Sequence, residues 1–171
     1  LKHRNHFKIQ RQVHRGCTCH MVKSKLELSA YLRSKHITDN LSRSQRSYCM
    51  SRIKGKDTRL ERVVRSELFK RGYRFRKHVS NLPGKPDLVF PGRRLAVFID
   101  GDFWHGYRYP QWQDGLSEFW RRKIAETRRR DGRNFRKLRR AGWRVIRLWQ
   151  HEIETDLTKC LLRITSILNS E

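Results

Sequence analysis

Long apolar runs are missing from this chain. Its longest uninterrupted aliphatic and aromatic stretch is Leu95 to Ile99, far short of the roughly 20 residues that span a bilayer, and no signal-like apolar segment opens it. A soluble, cytoplasmic chain without a membrane partner is therefore expected. Cysteine is scarce too: Cys17, Cys19, Cys49 and Cys160 are irregularly spaced in 171 residues, which implies no disulfide framework and fits a reducing compartment. Acid is the third shortage, with 16 Asp and Glu against 41 Lys and Arg and a net charge of +25. Such self-repulsion points to a polyanionic partner. Nucleic acid fits better than an anionic membrane, because no lipid anchor and no basic segment with a wide apolar face is present. Hydrophobic residues make up only 36%, yet five Trp, eight Phe and five Tyr supply large side chains for a core.

The length allows one compact domain plus an extension. Residues 1 to 40 hold nine Lys and Arg, two acids and five of the eight His, with apolar residues too scattered for a core, so residues 1–41 read as a basic N-terminal extension. The His14, Cys17, Cys19, His20 cluster lacks a second well-spaced ligand pair for zinc. From Thr58 the pattern changes. Thr58 and Glu61 have capping-box spacing, Leu60, Val63, Val64 and Leu68 share a helical face, and Gly72 is a stop. Tyr73 to Val79 reads as a strand. Asp87–Phe90 and Leu95–Ile99 read as a hairpin around Pro91–Arg94, and residues 101–116 as a loop. A basic helix from about Ser117 to Arg140 carries Trp120, Ile124, Phe135 and Leu138 inward, Trp143 to Trp149 is a buried strand, and Ile153 to Leu168 form a closing helix. The order is helix, three-strand meander, helix, strand, helix. It predicts an α/β fold with a mixed central sheet and helices on both faces over residues 42–171.

The hairpin brings carboxylates together. With the turn centred near Gly92 and Arg93, Asp87 falls opposite Val97 or Phe98, one or two positions from Ile99 and Asp100. Hard divalent cations take such oxygens, and Mg²⁺ usually needs only one or two protein carboxylates beside a substrate phosphate. The competing reading is local: Asp87 follows Pro86 in a turn and Asp100 precedes Gly101, where an Asp commonly bonds nearby backbone. Glu61 likewise has a complete role as a helix cap. His105, in the loop just past Asp100, is either a proton acceptor for an attacking water or a solvated loop residue.

Seven of the 18 aromatic residues lie between Phe103 and Trp120. Planar side chains on a basic surface stack on bases or wedge between base steps. Phe103 and Trp104 suit that role best, while Trp112, Phe119 and Trp120 also suit packing beneath the loop. Residues 121 to 150 hold thirteen Lys and Arg against Glu126 and Asp131. Arg121, Arg122 and Arg128 are among the expected phosphate contacts, which carry no sequence information of their own.

Pro83-Gly-Lys-Pro-Asp87, Val97-Phe-Ile-Asp-Gly-Asp-Phe-Trp-His105, Glu118-Phe-Trp-x-x-Lys-Ile124 and Gly142-Trp-Arg-Val145 with Trp149 closely resemble the very short patch repair endonuclease family of the restriction-endonuclease-like superfamily, over about residues 42 to 168. The resemblance implies a bacterial, nucleoid-associated, Mg²⁺-dependent enzyme, expected to be a monomer. It would nick duplex DNA beside the thymine of a T:G mismatch left by 5-methylcytosine deamination, with mismatch-repair proteins and a repair polymerase as partners. It casts Asp87 and the Ile99 backbone carbonyl as metal ligands and His105 as the catalytic histidine. Glu61 becomes the first-helix acid, Phe103 and Trp104 the wedge, Met50 an opposing wedge and Trp120 its support. The sequence departs from the pattern in three ways. Ile99 replaces a Thr, Asp100 replaces a second His and enters the catalytic set as either an added ligand or a handicap, and the structural zinc positions carry Asp102, Tyr107, Tyr109 and His151. No structural zinc is expected, and the loop should be held by its aromatics. Two alternatives remain: a related nuclease of different DNA specificity, and a non-catalytic basic DNA-binding protein.

Overall fold

The computed structural model describes residues 42–51, 56–77 and 79–170. The expected basic extension and its His and Cys cluster lie outside the described residues, as does the side chain of Met50. The elements are α1 (Arg43–Ser51), α2 (Arg59–Lys70), β1 (Arg76–Lys77), β2 (Leu88–Phe90), β3 (Leu95–Asp100), α3 (Glu118–Arg140), β4 (Arg144–Trp149), α4 (Gln150–Thr155) and α5 (Leu157–Asn169). The sheet runs β1-β2-β3-β4. The first three strands are antiparallel and β4 lies parallel to β3, as a meander followed by a helical crossover requires.

Strand alternation sorts the side chains into two layers. Leu88, Phe90, Leu95, Val97, Ile146 and Leu148 pack against Val64 and Leu68 of α2 and Cys160, Leu161, Ile164 and Leu168 of α5. Ala96, Phe98 and Val145 meet Phe135 and Leu138 of α3 on the other face. With both faces covered, β3 is an almost continuous apolar run, the pattern of a central strand. By the same alternation Asp100, Arg147 and Trp149 face α3 near the carboxyl ends of β3 and β4, in the register Phe98↔Arg147 and Asp100↔Trp149.

Two differences from the sequence reading concern segment ends. Among its described residues, the strand expected over Tyr73–Val79 pairs only at Arg76 and Lys77. The closing helix is broken at Asp156, whose backbone leaves the helical region (φ −150°, ψ 82°) and whose carboxylate accepts the Lys159 N–H at 2.9 Å, starting α5 afresh. A residue good at capping interrupts an otherwise helical apolar period.

The start of α2 is the expected capping box. Thr58 Oγ1 accepts the Glu61 N–H at 3.3 Å, and the Glu61 carboxylate accepts from Asp57 N, Thr58 N and Thr58 Oγ1. Glu61 is buried, with Arg65 Nη1 3.7 Å from Oε2. Thr58→Ala removes the cap and should cost about 1 kcal/mol, read as a lower urea midpoint at unchanged slope. An unchanged midpoint would show that the cap contributes nothing.

Candidate active site and DNA-contacting face

Asp87 stands one step before β2, opposite Phe98 by the register of Leu88 with Val97. Its Oδ2 accepts the Ile99 N–H at 2.7 Å and its own N–H donates to Val97 O at 3.0 Å. The side chain thus replaces a strand carbonyl where the β2–β3 ladder ends. The local reading of Asp87 holds as geometry, and it also fixes a half-buried carboxylate against the Ile99 backbone. An acid carboxylate and a neighbouring main-chain carbonyl are the hard oxygen donors that Mg²⁺ takes, so the residues present fit such an ion.

His105 is set by a turn at the end of β3, where its N–H bonds to Gly101 O at 3.1 Å. Its Nδ1 lies 2.7 Å from Asp131 Oδ2, and its Nε2 lies 3.3 Å from Asp100 Oδ1. Only the first is a hydrogen bond. Asp131, on α3, was not singled out as a site residue from the sequence. Burial opposes its charge, but the hydrogen bond and charge of His105, with Arg147 and Arg130 nearby, outweigh that and hold its carboxyl below the ordinary range. An ionised carboxylate only accepts, so Nδ1 donates to Asp131, and the lone pair of the neutral imidazole is the one on Nε2. The His105 side chain is 26% exposed, enough for water to reach it.

Asp100 is buried, and burial pushes its carboxyl above the ordinary range, partly offset by His105 and Arg147. Arg147 Nε comes to 2.5 Å from Asp100 Oδ2 and Arg147 Nη2 to 3.2 Å from Asp131 Oδ2. The first approach is off the hydrogen-bond axis, a charge contact rather than an aligned bond. Asp100, His105 and Asp131 together form a group with metal-ligand spacing, their donor atoms within 4.8 Å of one another. Neither Glu61 nor Asp87 joins that group. The guanidinium already supplies positive charge to both of its acids, so the Asp87–Ile99 corner suits an added cation better.

The loop after β3 carries the aromatic residues. Phe103 lies 5.1 Å from Trp104, 5.5 Å from Trp120 and stacked at 5.8 Å on Trp112, and Trp104 lies 5.5 Å from Trp120. The expected wedge and its support are therefore one cluster. Trp112 is buried with Tyr109, Leu116 and Ile124, Phe103, Trp104 and Trp120 are half-buried, and Phe119 is exposed. Packing beneath the loop thus describes Trp112 and not Phe119. Gly106 adopts φ +66°, and a Cβ there would stand 2.8 Å from both Arg128 Cδ and Ile124 Cγ2, so only glycine lets the loop lie on α3. Arg128 Nη1 donates to Gly106 O at 3.0 Å, which ties that guanidinium to the loop. Arg121 and Arg122 are exposed beside Glu118 and Glu126. Farther along α3, Lys123, Arg129, Arg130 and Arg133 line an open groove of about 400 Å³.

Of the positions matching the family's zinc ligands, Asp102, Tyr107 and His151 come together, while Tyr109 packs with Trp112 beneath the loop. His151 Nδ1 lies 2.7 Å from Asp102 Oδ1, the Tyr107 ring packs 4.3 Å from His151 and 5.0 Å from Trp149, and Tyr109 OH donates to Arg121 O at 2.8 Å. One imidazole, one carboxylate and two phenols do not make the nitrogen and sulfur set of a structural zinc site. The loop is held by the His151–Asp102 hydrogen bond as well as by the expected aromatics.

Helices cover both faces of a mixed sheet and ionisable groups gather where its parallel strands end, the arrangement of an α/β protein with a candidate catalytic cluster, and the surplus of cationic side chains suits a phosphodiester substrate. No helix among the described residues is long and apolar enough to cross a membrane. The family model of DNA mismatch endonuclease Vsr matches residues 38–111. Type II nicking enzyme V.XorIIP of Xanthomonas oryzae pv. oryzae is 44% identical over 135 residues, 78% of this chain and 98% of its own length. Type II nicking enzyme V.NmeDIP of Neisseria meningitidis serogroup C is 36% identical, covering 74% of this chain and 87% of its own. DNA mismatch endonuclease Vsr of Escherichia coli is 34% identical, covering 67% and 74%. The chain belongs to the DNA mismatch endonuclease Vsr family, and it is an endonuclease.

The loop clasp makes a prediction of its own. His151→Ala removes a partly buried, charge-assisted bond and should lower stability by about 1–3 kcal/mol, read by thermal melting, while a zinc chelator leaves the parent's melting curve in place. A chelator-sensitive parent would reinstate the zinc.

Proposed function

We propose that the chain nicks one strand of duplex DNA beside the thymine of a T:G mismatch, with His105 as general base and Mg²⁺ as cofactor. The observation that supports this best is the 2.7 Å bond from His105 Nδ1 to Asp131, which orients an imidazole whose Nε2 carries an open lone pair. Asp87 and the Ile99 carbonyl would hold the metal. When bound there it stabilises negative charge on the phosphoryl oxygens and the leaving group. His105 Nε2 takes a proton from a water, the water oxygen bonds to phosphorus, and the bond to the leaving sugar oxygen breaks with its electron pair. Glu61 bonds the first turn of α2, and its contribution is to hold that turn. The nicked duplex is then a substrate for repair synthesis by a polymerase.

Mismatch preference is assigned to the aromatic cluster. A mispaired step is easier to unstack than a matched one, so Phe103 and Trp104 enter it at lower cost, with Trp120 behind them and Met50 assigned to the opposing groove. Arg121 and Arg122 are assigned to backbone phosphates, and Arg128 contributes to DNA binding by fixing the wedge loop.

Purified protein with Mg²⁺ should nick a T:G duplex and spare the matched duplex. Asp87→Ala should reduce the single-turnover rate by at least 10³-fold, roughly the upper part of what removing one charge-stabilising group costs, while binding in a gel-shift assay persists. Cleavage of matched or branched DNA instead would favour a related nuclease of other specificity. Failure to cleave any duplex would leave a basic binding protein.

Trp104→Ala should weaken discrimination between T:G and T:A duplexes by about tenfold or more, one stacking contact being worth roughly 1–3 kcal/mol. Equal discrimination before and after the change would remove the wedge assignment.

A further inference from the structure

The reaction above leaves Arg147, like Asp100, without a task. It lies on β4 opposite Phe98, its guanidinium 4.1 Å from the Trp149 ring and 5.2 Å from that of Phe135. From there it reaches both acids that flank His105, Asp100 at 2.5 Å and Asp131 at 3.2 Å. Lysine, a point charge on a flexible stem, could not hold two acceptors in this fixed geometry, whereas the planar arginine fork stacked on an indole does.

The problem it solves is competition for the imidazole. Asp131 takes Nδ1, and Asp100 Oδ1 stands only 3.3 Å from Nε2, without forming an aligned bond. A buried carboxylate without a cation favours a proton on the nearest basic nitrogen and bonds to it, and for Asp100 that nitrogen is His105 Nε2, 3.3 Å away. Closure of Asp100 on Nε2 would fill the site to which a water must pass its proton.

We propose that Arg147 is a positioning residue that draws Asp100 away from His105 and so keeps Nε2 open. The Asp at position 100 is tolerated beside the histidine because β4 carries its counter-charge. The inference rests on the general-base reading of His105. It extends that reading to a residue that touches neither water nor phosphate.

The test is a coupled pair of variants. In single-turnover nicking of a T:G duplex with Mg²⁺, Arg147→Gln should lower the saturating rate at least tenfold and leave the half-saturating concentration within about twofold. The same substitution in an Asp100→Ala background should cost less than about threefold, because no oxygen remains to close on Nε2. Thermal melting reports folding of each variant. Should Arg147→Gln fail to fold, Arg147→Lys carries the test, since it keeps the charge and loses the fork. Its His105 ring ¹⁵N spectrum should show Nε2 hydrogen-bonded where the parent shows it free. A parental rate in Arg147→Gln, or an equal loss with and without Asp100, or an unchanged ¹⁵N spectrum in Arg147→Lys, would overturn the proposal. His105→Ala separates the two levels. If it nicks at the parental rate, the general-base reading falls and takes this inference with it. If it is inactive while Arg147→Gln is not, only the role of Arg147 falls.

Discussion

Gathering four ionisable groups in one place, two of them buried acids, is the constraint on which the rest of this molecule turns. Asp100 from β3, His105 from the loop, Asp131 from α3 and Arg147 from β4 meet between the sheet and the long helix. Of these four groups, either buried acid alone would cost several kcal/mol to desolvate. Their mutual pairing makes the cluster tolerable, and the pairing demands that four separate segments keep their places to within an ångström or so. The site is thus precise for the same reason that it is costly. A shift of α3 along the sheet would break the hydrogen bond that orients the histidine, and would leave Arg147 with one acid where it now has two.

The architecture was legible because each element had a local signal. Thr58 with Glu61 marked α2, Pro91–Arg94 marked the hairpin turn, and the run Leu95–Ile99 marked the central strand. The placement of Asp87 was legible for the same reason, since a hairpin register is simple arithmetic, and the structure puts its carboxylate on the Ile99 N–H. The break at Asp156 was not anticipated, because a continuous apolar period hides one residue that prefers to cap.

Asp131 and Arg147 were missed because their signals are long-range. A trace of Asp131 was nevertheless present. It lies seven residues after Ile124 and seven before Leu138, the other buried residues of α3, so two turns of helix on either side place it on the inner stripe. An acid on the inward face of a helix with eleven Lys and Arg has to meet a cation or an imidazole. Arg147 offered the matching clue, being a charge in a strand at the same parity as Trp149 and Val145. Neither residue names its partner from sequence alone, because the partner is fixed only when β4 pairs parallel with β3.

The same reasoning explains how the aromatic loop serves two purposes. Its inner residues, Tyr109, Trp112 and Leu116, form a small core with Ile124 of α3, and the hydrogen bond of Asp102 with His151 pins its start to α4. That rigid base lets Phe103, Trp104 and Trp120 remain partly open without collapsing inward. An aromatic side chain that must displace a base needs a firm support, because any give in the loop would absorb the unstacking energy in place of the DNA. His105 lies between the pinned start and the buried base of the same loop. On the proposed reading, insertion of the aromatic residues and alignment of the imidazole would draw on one rigid segment, so a duplex that failed to admit the first would also fail to bring its phosphate to the second.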